Sequence, residues 1–291
     1  MISRILEVGV AVKDLLLSGR QFVGVLGAEA GTVVGVGEFD MNMQMFRVGN
    51  VDFELMEPVR SGGTIEKFLV RRGEGLHHIA FQVDNMADGL HWMKEHSVKI
   101  INEKPVLIDG LKAVFLHPES FGGVLFELIE GSPTWVGGRV LPDGLQDWGP
   151  TSGVRAQGIT EVGIVVRNLD AAASFYSQVF SAEKSESAHL DDLSIRVGYL
   201  FAGNVRLKLM EVFRTGDHLA EVFGETRPGL HHVTLKVDSI EVAKRFLKSR
   251  GIQIVEDPGA SSFGVNSVFL QPKTFSEVLI QLKERYCQRY I

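Results

Sequence analysis

The chain has 291 residues, 45% of them hydrophobic and 23% charged, with a net charge of −6 and one cysteine, Cys287. That length suits about two domains, each with its own core. The interspersed, mildly acidic charge excludes the basic stripe of a nucleic-acid binder. A lone cysteine excludes an internal disulfide and fits a cytoplasmic chain, and no apolar run reaches the ~18 residues of a membrane span.

The opening MISRILEVGVAVKDLLL is interrupted by Arg4, Glu7, Lys13 and Asp14 and shows no cleavage site, so no signal peptide is expected. ILEVGVAVKDL reads as a buried strand running into a helix start. LHHIAFQVDNM, from residue 76, reads the same way and is followed by ADGLHWMKEHSV, with apolar residues at helical spacing. Three short strand-like runs come next: VKIINE, KAVFLHP and GGVLFELIE. The order is β-α-β-β-β. Residues 131–153 are rich in Gly and Pro and lack periodicity, so a linker is expected over 132–155, between a domain at 1–131 and another at 156–291.

Beyond the linker the pattern returns. EVGVAVKD at 7–14 meets EVGIVVRN at 161–168, GNVDFELME at 49–57 meets GNVRLKLME at 203–211, and GLHHIAFQVDN at 75–85 meets GLHHVTLKVDS at 229–239. VFLHPES at 114–120 meets VFLQPKT at 268–274, and every pair keeps an offset of 154 residues. A unit of that length is a duplicated domain rather than a solenoid repeat. Asp238 and Glu241 have capping-box spacing for the last helix. Each copy holds two βαβββ units, which predicts an α+β fold with four such modules.

This arrangement resembles the vicinal oxygen chelate superfamily, whose paired βαβββ modules form a half-open barrel around a metal. The first copy resembles methylmalonyl-CoA epimerases from Ile5 through Glu130, through GTIEKFLVRRGEGLHHIAFQVDNM, VDFELMEP and FLHPESFGGVLFELIE. The second copy resembles the superfamily and only weakly the epimerases.

The resemblance implies one metal ligand from each of four strands: Glu7, Glu54, His78 and Glu127. The family usually has histidine where this chain has Glu7. Three carboxylates aimed at one point repel, and a divalent cation relieves that repulsion. Oxygen-rich ligation with one imidazole suits Mn²⁺, Mg²⁺ or Co²⁺, with Zn²⁺ also open. In the second copy the slots hold Glu161, Lys208, His232 and Gln281. A protonated lysine cannot ligate, so this half is expected to hold no metal and to keep an ion pair between Lys208 and Glu161. Strand alternation puts His77 on the face opposite His78, as a structural or exposed residue. His91, His96, His189 and His218 read as surface residues, and His117 as a residue near the ligand loop.

An epimerase needs two acid/base groups across its substrate. The resemblance places one sixteen positions before the second ligand slot, at Glu38, and the other at Glu127. The second copy has Asp192 and Gln281 there and lacks the pair. The function expected is a metal-dependent epimerase or isomerase acting beside a carbonyl, on an acyl-CoA. Arg71, Arg72, Lys104 and Lys112 are candidates for the pocket mouth. A glyoxalase-like lyase and a non-catalytic binding or resistance protein of the same fold stay open. An extradiol dioxygenase needs two histidines and a carboxylate, which neither half offers. The partner expected is a small molecule, with no nucleic acid or membrane, and the chain is a monomer acting as an internal pseudo-dimer or a homodimer.

Overall fold

The computed structural model describes residues 2–108, 110–131, 153–213, 227–260, 262 and 264–284. Most of the expected linker, together with His218 and Cys287, lies outside these residues. Among the described residues no helix is long and apolar enough to cross a membrane.

The first half contains β1 (Ile2–Ala11), α1 (Leu15–Gln21), β2 (Glu29–Val36), β3 (Met41–Val48), β4 (Val51–Pro58), α2 (Thr64–Arg72), β5 (Gly75–Val83), α3 (Met86–Glu95), β6 (Val106–Ile108), β7 (Leu111–Leu116) and β8 (Leu125–Glu130). The second half contains β9 (Gly158–Val165), α4 (Leu169–Phe180), β10 (Glu183–Lys184), β11 (Ala188–Leu190), β12 (Ile195–Ala202), β13 (Val205–Val212), β14 (Gly229–Val237), α5 (Ile240–Ser249), β15 (Ile254–Glu256), β16 (Ser267–Leu270) and β17 (Leu279–Glu284). The first sheet runs β2-β3-β4-β1-β5-β8-β7-β6, so the two modules of that half meet at β1 and β5. The second runs β10-β12-β13-β9-β14-β17-β16-β15, with β11 beside β12, and its modules meet at β9 and β14.

Two local expectations are corrected. VKIINE makes no strand of its own. Ser97 takes a left-handed φ of 56° and Val98 N–H bonds back to Met93, which leaves only a bridge from Ile100 to Leu116. The pairing strand forms later, at β6, after Pro105. The cap of α5 is Ser239, whose side chain accepts from Val242 N–H, in place of the expected capping box at Asp238 and Glu241.

All four βα units share one capping device. A glutamate near the end of the module's last full strand accepts a hydrogen bond from the first N–H of the module's helix. Glu57 takes Leu15 at 3.2 Å, Glu130 takes Met86 at 2.5 Å, Glu211 takes Leu169 at 3.2 Å and Glu284 takes Ile240 at 2.8 Å. The first N–H groups of a helix have no partner within it, and the positive end of its dipole favours an anion. Asp14, Asn85, Asn168 and Ser239 add side-chain caps at the same four ends.

The described residues gather into two compact units, each drawing on both halves of the sequence. One holds residues 2–8, 77–131, 161–213 and 227–231. Its core is aromatic: Phe180 lies 4.8 Å from Phe81, 4.9 Å from Phe126 and 5.5 Å, nearly parallel, from Phe121. Tyr176 O–H donates to Phe121 carbonyl at 2.7 Å, and Trp92 N–H to Val179 carbonyl at 2.8 Å. The other unit holds residues 9–76, 153–160 and the described residues from 232 onward. There Phe22 packs edge-on against Phe53 at 5.0 Å and Phe275 at 6.0 Å.

One clamp occurs in each unit. The Asn204 side chain takes both backbone groups of Ile5, at 2.9 and 3.0 Å. Asn50 does the same to Ile159, at 3.0 and 3.2 Å. The preceding Gly203 and Gly49 adopt φ of 68° and 65° with the facing backbone so close that a Cβ would collide. Glycine alone meets both demands, which is why the repeated dipeptide is Gly-Asn.

Candidate metal centre

Each of the four first-half slots lies near the middle of a strand, beside a buried apolar residue. Glu7 follows Leu6 in β1, Glu54 lies between Phe53 and Leu55 in β4, His78 precedes Ile79 in β5, and Glu127 follows Phe126 in β8. All four are buried, with exposures of 4%, 4%, 1% and 2%, so none is an ordinary solvated carboxylate or surface histidine. Donor atoms of Glu7, Glu54 and His78 lie within 4.8 Å of one another. His78 Nε2 is 3.9 Å from Glu7 and 3.2 Å from Glu127 Oε2. Three of the four slots that the resemblance named, Glu7, Glu54 and His78, are therefore brought together, and Glu127 lies beside His78. Three anionic oxygens and an imidazole nitrogen, withdrawn from water, form a donor set that fits a divalent cation.

The His78 ring is held on its other side. Its Nδ1 lies 3.0 Å from Nδ1 of His77, and Phe115 packs edge-on at 6.3 Å. His77 is thus half-buried against its neighbour rather than on an independent face, a contact that strand alternation did not reveal. Burial beside His78 pushes the pKa of His77 down to about 3, so this ring is neutral at ordinary pH.

Glu38 stands outside the grouped donors. It occupies an exposed 3-10 turn, Gly37–Phe39, between β2 and β3. The next residue anchors that turn: Asp40, at a left-handed φ of 53°, pairs with Arg60, and its carbonyl accepts from Val59 N–H. Of the other histidines, His91 and His189 are exposed and His96 is partly so. His117 is exposed and caps the short turn Pro118–Phe121 through its ring Nδ1. Arg71, Arg72, Lys104 and Lys112 are exposed, and Lys112 is engaged with Glu130 at 2.5 Å.

Family models of the glyoxalase/bleomycin resistance protein/dioxygenase superfamily match residues 7–115 and 158–279. The chain belongs to this superfamily. Its N-terminal half is similar to the mitochondrial methylmalonyl-CoA epimerase of Bos taurus, 35% identical over 129 residues, covering 44% of this chain and 74% of that protein. A longer, weaker similarity runs to the 4-hydroxyphenylpyruvate dioxygenase of Yarrowia lipolytica, 23% identical over 250 residues, covering 77% of this chain and 62% of that protein. Among solved structures, a mutant of 4-hydroxymandelate synthase from Streptomyces coelicolor superposes with a TM-score of 0.73 at 16% identity, covering 100% of this chain and 94% of that one. That likeness shows the fold: two tandem vicinal oxygen chelate domains.

The two superfamily domains differ in their slots. Glu161, Lys208, His232 and Gln281 are all buried. Glu161 forms an ion pair with Arg206, at 2.6 Å, a residue that sequence reasoning passed over. Arg206 is the register partner of Glu161 across β13 and β9 and lies over the Tyr199 ring. Its counterpart in the first half is Asp52, so the cue was a charge reversal between the copies. Gln281 is committed at both ends: its oxygen accepts from Thr234 at 2.7 Å and its nitrogen donates to Asp257 at 2.6 Å. Among the described residues the three-donor group of the first half has no counterpart in the second.

Proposed function

We propose that the chain is a metal-dependent epimerase or isomerase that moves a proton on a carbon beside a carbonyl, with an acyl-CoA of the methylmalonyl-CoA kind as substrate. The observation that carries this reading is the convergence of buried Glu7, Glu54, His78 and Glu127 in the half that is similar to methylmalonyl-CoA epimerases. Glu7, Glu54, His78 and Glu127 would hold the ion, with residues 1–131 as the working domain and 156–291 as its degenerate copy. Bound there, a divalent ion supplies positive charge toward a carbonyl oxygen. The chain's own residues do the rest. Glu127, next to His78, takes or returns a proton on one face of the carbon. Glu38, on its anchored turn, serves the other face.

The test is solvent-deuterium incorporation into methylmalonyl-CoA by the full chain, with Glu38→Ala as the control. Incorporation into both epimers by the wild type, and into one epimer alone by the variant, supports the assignment. Incorporation into both that survives the change removes Glu38 from it.

The match to a dioxygenase over 250 residues favours a second reading, oxygen chemistry at iron. The single histidine among three carboxylates argues against it, because such iron centres use two histidines and one carboxylate. Stoichiometric iron with oxygen uptake on a keto-acid substrate would reverse the choice.

A further inference from the structure

The proposed function employs one histidine of GLHHIA and gives its neighbour no task. Adjacent strand residues ordinarily point to opposite faces, yet the two Nδ1 atoms lie 3.0 Å apart with the rings edge-on at 87°. At that distance one nitrogen must donate and the other accept. The remaining nitrogen of His78, Nε2, faces Glu127 and Glu7. A ring nitrogen that gives its lone pair to a cation carries no hydrogen, so in a neutral imidazole the hydrogen then sits on Nδ1.

The geometry points to His77 as the positioning residue of the centre: its Nδ1 accepts the Nδ1–H of His78 and so fixes the tautomer that presents the Nε2 lone pair among the carboxylates. This rests on reading the cluster as a metal centre. The opposite assignment, with His77 donating, would place a hydrogen on Nε2 of a neutral His78 and block that lone pair. His77 accepts through its Nδ1 lone pair and carries its own hydrogen on Nε2. Ligating histidines generally hand their second N–H to a fixed acceptor, and loss of that acceptor lowers metal affinity. Here the acceptor is the preceding residue of the same strand, so ligand and acceptor move together with β5.

The experiment uses the full chain, labelled with ¹⁵N-histidine and loaded with Zn²⁺ as a diamagnetic probe. Two-bond ¹H–¹⁵N correlations, assigned with His78→Gln, should show His78 protonated at Nδ1 with Nε2 shifted by zinc, and His77 protonated at Nε2. His77→Phe removes the acceptor and should weaken zinc binding by about 10–100-fold. His77→Asn places an amide oxygen near the lost Nδ1 and should recover most of that affinity. Zinc bound through His78 Nδ1, or wild-type affinity in His77→Phe, would overturn the inference. So would a folded His77→Asn no better than His77→Phe. The wild-type spectrum decides the matter even where His77→Phe fails to fold. No zinc uptake by the wild type removes the metal-centre reading and this inference together, whereas uptake indifferent to His77 removes this inference alone.

Discussion

Replacing Glu54 by Gln should shift stability in opposite directions with and without metal. Donor atoms of Glu7, Glu54 and His78 lie within 4.8 Å of one another, and all are buried. Two unit charges at that separation repel by about 3 kcal/mol at an effective dielectric of ~20. Glutamine keeps the shape and one acceptor oxygen while removing a charge. Freed of metal with EDTA, Glu54→Gln should therefore unfold in urea with a free energy about 1–3 kcal/mol above wild type. With Mn²⁺ at about 100 times its Kd, the wild type should gain roughly 2.7 kcal/mol. Glu54→Gln should gain far less, because it has lost an anionic donor. The two urea curves should thus approach or cross as Mn²⁺ is added. A variant that is less stable than wild type in EDTA, together with a wild type indifferent to Mn²⁺ and Co²⁺, would refute the claim that these carboxylates are held together against their own repulsion for an ion.

Phe180→Ala should cost about 3–5 kcal/mol in urea unfolding, since it empties a site that touches Phe81, Phe121 and Phe126 from the other sequence half; a loss under about 1 kcal/mol would show that the cluster is not a core. Asn204→Ala and Asn50→Ala should each cost about 1–3 kcal/mol by stranding two backbone groups, and a thermal melt in which only one of them matters would contradict the equivalence of the two clamps. Glu38→Ala should abolish epimerisation with metal content unchanged, as read by elemental analysis; lost metal would make Glu38 part of the centre instead. The His77 pKa is about 3 in the fold against an ordinary value of 6.5. The unfolded chain therefore binds more protons between those values, and stability falls as pH drops from about 6.5 toward 3. In EDTA, His77→Asn should flatten that part of the pH–stability curve, and an unchanged slope would assign it to other groups.

The duplication was legible because its blocks keep one offset; the resemblance to the superfamily named the four slots, and the offset carried them to the second copy. Glu7, Glu54, His78 and Glu127 converge because alternation along four strands turns each of them to the buried side. Strand alternation failed at His77, where two neighbouring rings come together and no pattern of residue types records it. It also missed Arg206, since an ion pair across β9 and β13 depends on strand register, which only the folded sheet displays. The module boundaries of the sheets were visible as βαβββ runs. The gathering of each compact unit from both halves was not, because helix packing between distant segments leaves no local signature.

The four helix-capping glutamates lie three residues after the four slots: 57 after 54, 130 after 127, 211 after 208 and 284 after 281. An odd spacing on a strand places the two on opposite faces, so each strand anchors its helix from one side and turns its slot residue to the other. The anchoring position is glutamate all four times, while the slot position is Glu, Glu, Lys and Gln. A gene copy could therefore exchange its reactive groups without loosening its scaffold, and the carboxy-terminal repeat is the record of that freedom.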